Sequence, residues 1–175
     1  VAARFCLETC PPESGAVLQF HGRLTSPGAN RARGAEQTWI DLSPHMLAAA
    51  QVAAPDASPD WNTLKTEFSG QRANAEFVCL RGAGQETLVV QIETHHADEP
   101  PLHVRELEFD GKQFAIAGKA GPDGVFQLEI TTPLGQITRP DMLRQLIRSF
   151  KAGKVEVSGA AGLQNLEWML KIMGK

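Results

Sequence analysis

Three of the five histidines in the chain fall within the stretch "IETHHADEPPLH" at residues 92–103, interleaved with Glu93, Asp98 and Glu99. Imidazole and carboxylate side chains at such density suit a borderline metal such as zinc, or acid–base work near neutral pH. Strand alternation separates the adjacent pair. If residues 88–96 stay extended, His96 shares a face with Leu88, Val90 and Ile92, and His95 shares the other with Gln91 and Glu93. Pro100-Pro101 then impose an extended or turning backbone. A loop bringing His96 and His103 together with Asp98 or Glu99 is the arrangement that would bind a metal. His95, His96 and His103 are therefore the candidate metal ligands. The reading preferred over a metal site is an acidic, histidine-bearing loop at a sheet end.

Carboxylates offer a second chemistry. Six acidic residues lie between 93 and 110, against Arg105 alone. Glu106 and Glu108 share a strand face, as a carboxylate pair for glycoside hydrolysis would. A solvated outer sheet face explains them equally and is preferred. Cys79 beside His95 or His96 would be a nucleophile only if exposed, and in "EFVCL" it reads as buried. No Gly-x-Ser-x-Gly elbow occurs, and "GKAGPDG" lacks the ending of a phosphate loop, so no cofactor is expected. On the basic side, Arg144, Arg148 and Lys151 fall on one edge of a C-terminal helix and form a candidate partner-binding surface.

Composition sets the bounds. With 42% hydrophobic and 21% charged residues, the chain is an ordinary globular protein, not a disordered one. No apolar run reaches the roughly 18–20 residues of a membrane span. A net charge of −3 gives no general pull towards nucleic acid. Residues 139–175 nonetheless carry seven Lys/Arg against three Asp/Glu, so an acidic protein partner or peripheral contact with an anionic membrane suits that end. The first residue is Val, which fits a removed signal peptide or anchor, or a trimmed chain. Of the three cysteines, Cys10 is expected to pair with Cys79, Cys6 being the alternative partner; free thiols would indicate a cytoplasmic protein.

The elements that must position these groups follow from periodicity. "AVLQFHGRL" alternates as a half-buried strand, and "TWIDL" is expected to return as a second strand. Ser43-Pro44 reads as the start of a helix that continues through "HMLAAAQVAA" to Pro55. Residues 60–70 fit a short helix bearing Trp61, Leu64 and Phe68, or a strand. From residue 73 to 131 the period is two. Asp110-Gly111 supplies a hairpin turn that sets Leu107 opposite Phe114 and Phe109 opposite Lys112. "TRPD" reads as a capping box with Thr138 at the N-cap. The helix after it is expected to bury Met142/Leu143, Leu146/Ile147 and Phe150. "KVEVSG" reads as a short strand, and the last helix is expected to bury Leu163, Leu166, Met169/Leu170 and Met173.

The sum is one α+β, β-rich domain. Residues 1–54 form a hairpin plus helix, 55–72 a linker or short helix, 73–131 an antiparallel meander, and 138–175 a helix-strand-helix unit. Two C-terminal amphipathic helices pack on the sheet, with one or two short helices at the N-terminus. The tail "LIRSFKAGKVEVSGAAGLQNLEWML" loosely resembles, in its Gly and Leu spacing, small secreted bacterial proteins of the invasion-associated locus B type; the resemblance carries no site residue. The expected function is a non-enzymatic protein-binding or assembly domain, periplasmic or secreted. The alternatives are a small metal-dependent or acid–base hydrolase built on residues 93–108, and a cytoplasmic regulator with free thiols.

Overall fold

The computed structural model describes residues 2–27, 34–82, 86–97, 103–121, 124, 126–140, 142–154 and 158–175. They form α1 (Ala2–Thr9), β1 (Gln19–Pro27), α2 (Ala35–Ala53), β2 (Ser58–Ser69), β3 (Arg72–Arg81), β4 (Glu86–Ala97), β5 (Val104–Phe109), β6 (Lys112–Ala120), β7 (Phe126–Thr132), β8 (Gly135–Pro140), α3 (Met142–Lys151) and α4 (Gly159–Ile172). The strands make one sheet in the order β2-β3-β4-β1-β5-β6-β7-β8.

A plain antiparallel meander is corrected at its centre. β1 lies between β4 and β5, parallel to the first and antiparallel to the second. β4 and β5 are therefore separated by a whole strand and are not hairpin partners. Side chains and hairpin chemistry hold β1 there. Phe20 and Leu24 point inward, and the Phe20 and Phe109 rings lie 5.3 Å apart. Asp110, at φ +50° in the β5–β6 turn, accepts through Oδ1 from the Leu18 and Gln19 amides at 2.9 and 2.8 Å. The turn pairs Leu107 with Phe114 and Phe109 with Lys112, the register read from the sequence.

The largest local correction is α2. "TWIDL" is helical, and Pro44 sits inside a 19-residue helix. Trp39, Leu42, Met46, Leu47 and Ala50 recur at three- and four-residue steps and are buried against the sheet, which overrides the strand-like local pattern and the proline. Gly22 permits this docking. A Cβ there would sit 2.8 Å from Phe20 Cζ and 2.9 Å from Met46 Sδ.

β2 is a strand whose period is broken by an irregularity between Asp60 and Lys65. Asp60 Oδ1 accepts from the Asn62 amide, and Thr63 Oγ1 accepts from the Val78 amide while donating to the Asp60 carbonyl. This extra local bonding spaces Trp61, Leu64 and Phe68 as a helix would. Thr138 pairs with Glu129 in β8 and caps no helix. On α4, Ser158 Oγ caps by accepting from the Ala161 amide, and the buried side is Trp168, Met169 and Ile172. Leu163, Leu166 and Leu170 are exposed, as are Ile147 and Phe150 of α3. The stripe was misplaced because Trp168 packs edge-on against Phe77 and Trp61 and fixes the rotation of α4. The expected strand at "KVEVSG" falls largely outside the described residues.

Helices α1, α2 and α4 thus line one side of the sheet, over a single apolar core. Cys6, Cys10 and Cys79 are all free and buried in it, where each thiol packs as a small apolar group; the expected disulfide is not formed. No helix among the described residues is long and apolar enough to cross a membrane.

Candidate functional site

The histidine-rich segment divides across the sheet. His95 is half-buried on the outer face, His96 is buried on the helix side, and His103 is exposed. Asp98 and Glu99 lie outside the described residues. No group of three or more His, Cys, Asp or Glu side chains among the described residues is placed to hold a metal. Arg148 and Lys151 are exposed on α3, and the side chain of Arg144 lies outside the described set.

The outer-face carboxylates are matched by donors. Arg23 Nη1 lies 3.0 Å from Glu106 Oε2, and its Nε lies 3.5 Å from Glu93 Oε2. His21 Nε2 meets Glu93 Oε1 at 3.0 Å, and Gln113 Nε2 donates to Glu108 at 3.0 Å. His21, Arg23 and Gln113, with Glu106 and Glu108, line a cavity of about 640 Å³ on the outer face. Cys79 is no nucleophile. Burial, opposed by nearby Arg81, pushes its thiol up to about 12.

A different constellation lies on the helix side, where the C-terminal ends of parallel β1 and β4 meet the start of β5. Thr94 and His96 point inward there, and the Thr94 hydroxyl donates to the Ala73 carbonyl at 2.8 Å. His96 Nε2 stands 3.5 Å from Asp41 Oδ2 on α2. The pair is in range for charge attraction but off hydrogen-bond alignment, and neither ring nitrogen of His96 makes a hydrogen bond. One helical turn beyond Asp41, on the same face of α2, is His45. Its side chain is exposed on that face. Burial, and then the charge of Arg105, holds its proton affinity below that of an ordinary histidine. Arg105 itself is half-buried on β5 with the inward parity of Leu107 and Phe109, and burial lowers its own value.

An imidazole on a helix face, with a cation near it, is a candidate proton acceptor. The sequence reading missed His45 because "TWIDL" and "HMLAAAQ" were assigned to two elements. The available signal was the Asp41-x-x-x-His45 spacing, which only a continuous helix places on one face.

A dinucleotide cofactor asks for a Gly-rich turn opening a helix between parallel strands. Gly-x-Gly-x-x-Gly is absent from the sequence, and the sheet has one parallel pair among its described strands. The residues of this chain do not fit such a cofactor.

Neither a family model nor a curated protein sequence matches the chain. Solved structures do share its fold. A dehydrogenase, MviM, from Clostridium difficile aligns over 98% of this chain and 59% of its own at 13% identity, with a TM-score of 0.57. UDP-N-acetylglucosamine 3-dehydrogenase GnnA from Acidithiobacillus ferrooxidans aligns over 96% and 55% at 14% identity, with a TM-score of 0.60. An oxidoreductase from Bacillus cereus aligns over 99% and 61% at 10% identity, with a TM-score of 0.52. The chain thus spans little more than half the length of these neighbours. The mixed eight-stranded sheet with its four helices is a fold found in oxidoreductases, and this overturns the expectation of a non-enzymatic assembly domain.

Proposed function

We propose that this chain is the substrate-facing part of an oxidoreductase, in which His45 takes the proton of a hydroxyl group as its carbon is oxidised to a carbonyl. The observation that carries the reading is the placement of His45. It stands with Asp41 on one face of α2, over the ends of parallel β1 and β4, in a fold shared with dehydrogenases. Ligands in sheets with parallel strands characteristically gather at such carboxyl ends. His45 is held neutral and so is ready to accept a proton at pH 7. Asp41 stands one turn before it, with Oδ2 3.5 Å from His96 Nε2 at the strand end.

The two electrons need an acceptor of the nicotinamide dinucleotide class. Since this sheet has no cradle for one, the acceptor is assigned to a separate nucleotide-binding unit, the counterpart of the neighbours' additional length. The test is dinucleotide reduction by a panel of hydroxyl compounds, using the protein as it is made in its own cell. His45→Asn is expected to lower kcat by about 10²–10⁴-fold, with the near-ultraviolet circular dichroism and melting temperature unchanged. Full activity in that variant would refute the role given to His45.

A further inference from the structure

The outer face of the sheet carries a cavity that the helix-side site does not use. It measures about 640 Å³, within the roughly 300–1,000 Å³ of small-molecule sites. Strand register builds it. Arg23 on β1 stands opposite Glu106 on β5, Glu106 opposite Ala115 on β6, and Ala115 opposite Thr131 on β7. Two residues along each strand, on the same outward parity, His21, Glu108 and Gln113 form a second row. Both rows line the cavity. Ala115 is the short member among long neighbours, so the face sinks at that point and the taller side chains make the walls. Gly111 and Pro133, at the β5–β6 and β7–β8 turns, border one end.

The walls set donors and acceptors side by side. Arg23 Nη1 meets Glu106 Oε2 at 3.0 Å, and Gln113 Nε2 donates to Glu108 Oε2 at 3.0 Å. These contacts use one oxygen of each carboxylate and part of the guanidinium fork, which leaves capacity of both kinds for a ligand. An ammonium group only donates, and here it would lie against Arg23. A phosphate or carboxylate only accepts, and it would face Glu106 and Glu108. A hydroxyl does both. We infer that the cavity binds a neutral polyhydroxylated ligand, a saccharide unit or a polyol, whose hydroxyls bridge the Arg23–Glu106 and Gln113–Glu108 pairs while its carbon-bound hydrogens lie on Ala115. The inference concerns binding, with no bond made or broken. It does not rest on His45, which stands on α2, on the other side of the sheet.

The test is a nuclear magnetic resonance titration of the whole protein, read at the Gln113 side-chain amide and the Arg23 Nε–H. Glucose and sorbitol are the polyhydroxylated probes, and methylammonium and inorganic phosphate are the charged controls. At least one polyhydroxylated probe is expected to shift both signals saturably in the millimolar range, and neither control to do so at the same concentration. A response to glucose alone assigns a ring sugar, and a response to sorbitol alone assigns an open polyol. Ala115→Leu fills the floor and leaves every polar group in place. It should weaken binding by about tenfold or more and leave the melting temperature unchanged, because the side chain faces solvent. Glu108→Gln, of nearly the same shape, should also weaken binding and serves if the Leu variant does not fold. The assignment is overturned if neither polyhydroxylated probe shifts these signals, or if methylammonium or phosphate shifts them as strongly. Binding by Ala115→Leu equal to that of wild type would overturn it too.

Discussion

Among the five histidines, environment and not neighbouring sequence singles out the one proposed as the base. His21 meets Glu93 on the outer sheet face, His95 shares that face, His96 is buried against Asp41, and His103 is exposed. For His45 the proton affinity is pulled down, by burial first and by Arg105 second. The folded chain therefore binds this proton less readily than the unfolded chain. As pH falls below about 6.5, the unfolded state takes up the proton first, so the contribution of His45 to stability is present above that range and lost below it. For turnover the same shift extends the active, neutral form to lower pH. The acid limb of kcat/KM is expected below the ordinary histidine range, and in Arg105→Gln it should move upward. A pH–rate profile of the two proteins checks this; coincident limbs would show that Arg105 does not set the base.

α2 illustrates how a conflict within one element hides a site. Pro44 is its tenth residue, cannot donate to the Ile40 carbonyl, and stands between Asp41 and His45. Read locally, a serine-proline pair marks a helix start, and the Trp-Ile-Asp-Leu run before it looks like a strand. Burial of Trp39 and Leu42 in the core, and the Trp39 Nε1–H bond to the Met169 carbonyl at 3.3 Å, decide for helix through contacts made 130 residues away. Pro44→Ala should raise stability by about 1–3 kcal/mol, read as a higher melting temperature. By restoring the missing hydrogen bond it should also tighten the turn that carries Asp41 and His45, and turnover should fall. An unchanged melting temperature would mean that the helix has already relaxed around the proline. The β5–β6 hairpin is the opposite case. Its register was legible because Asp110-Gly111 and the alternation on either side agree. β2 was ambiguous because side-chain bonding at Asp60 and Thr63 breaks its period.

For the molecule as a whole, β1 and β3 to β7 were legible, β2 was ambiguous and β8 was missed, and the order of strands did not show. β1 and β4 both alternate as ordinary half-buried strands, and nothing local distinguishes a parallel neighbour from a hairpin partner. Nor was the site legible, since His45, His96 and Arg105 come from three elements that only the sheet order brings together. That order also fixes a sequence of events in time. β2, β3 and β4 close by consecutive antiparallel connections, and so do β5, β6, β7 and β8. β1 leaves the ribosome before any of them, yet it pairs with residues 89–97 and 104–109, and closing such distant contacts is slow. The first strand made is thus expected to be the last seated, between two sets of strands that pair among themselves. In a denaturant chevron, Leu24→Ala in β1 should speed unfolding and leave the refolding limb nearly unmoved; a slowed refolding limb would place β1 in the nucleus instead. Until β1 docks, the facing edges of β4 and β5 remain open to any other strand, so a newly made chain is most prone to wrong pairing at the seam that later supports its candidate site.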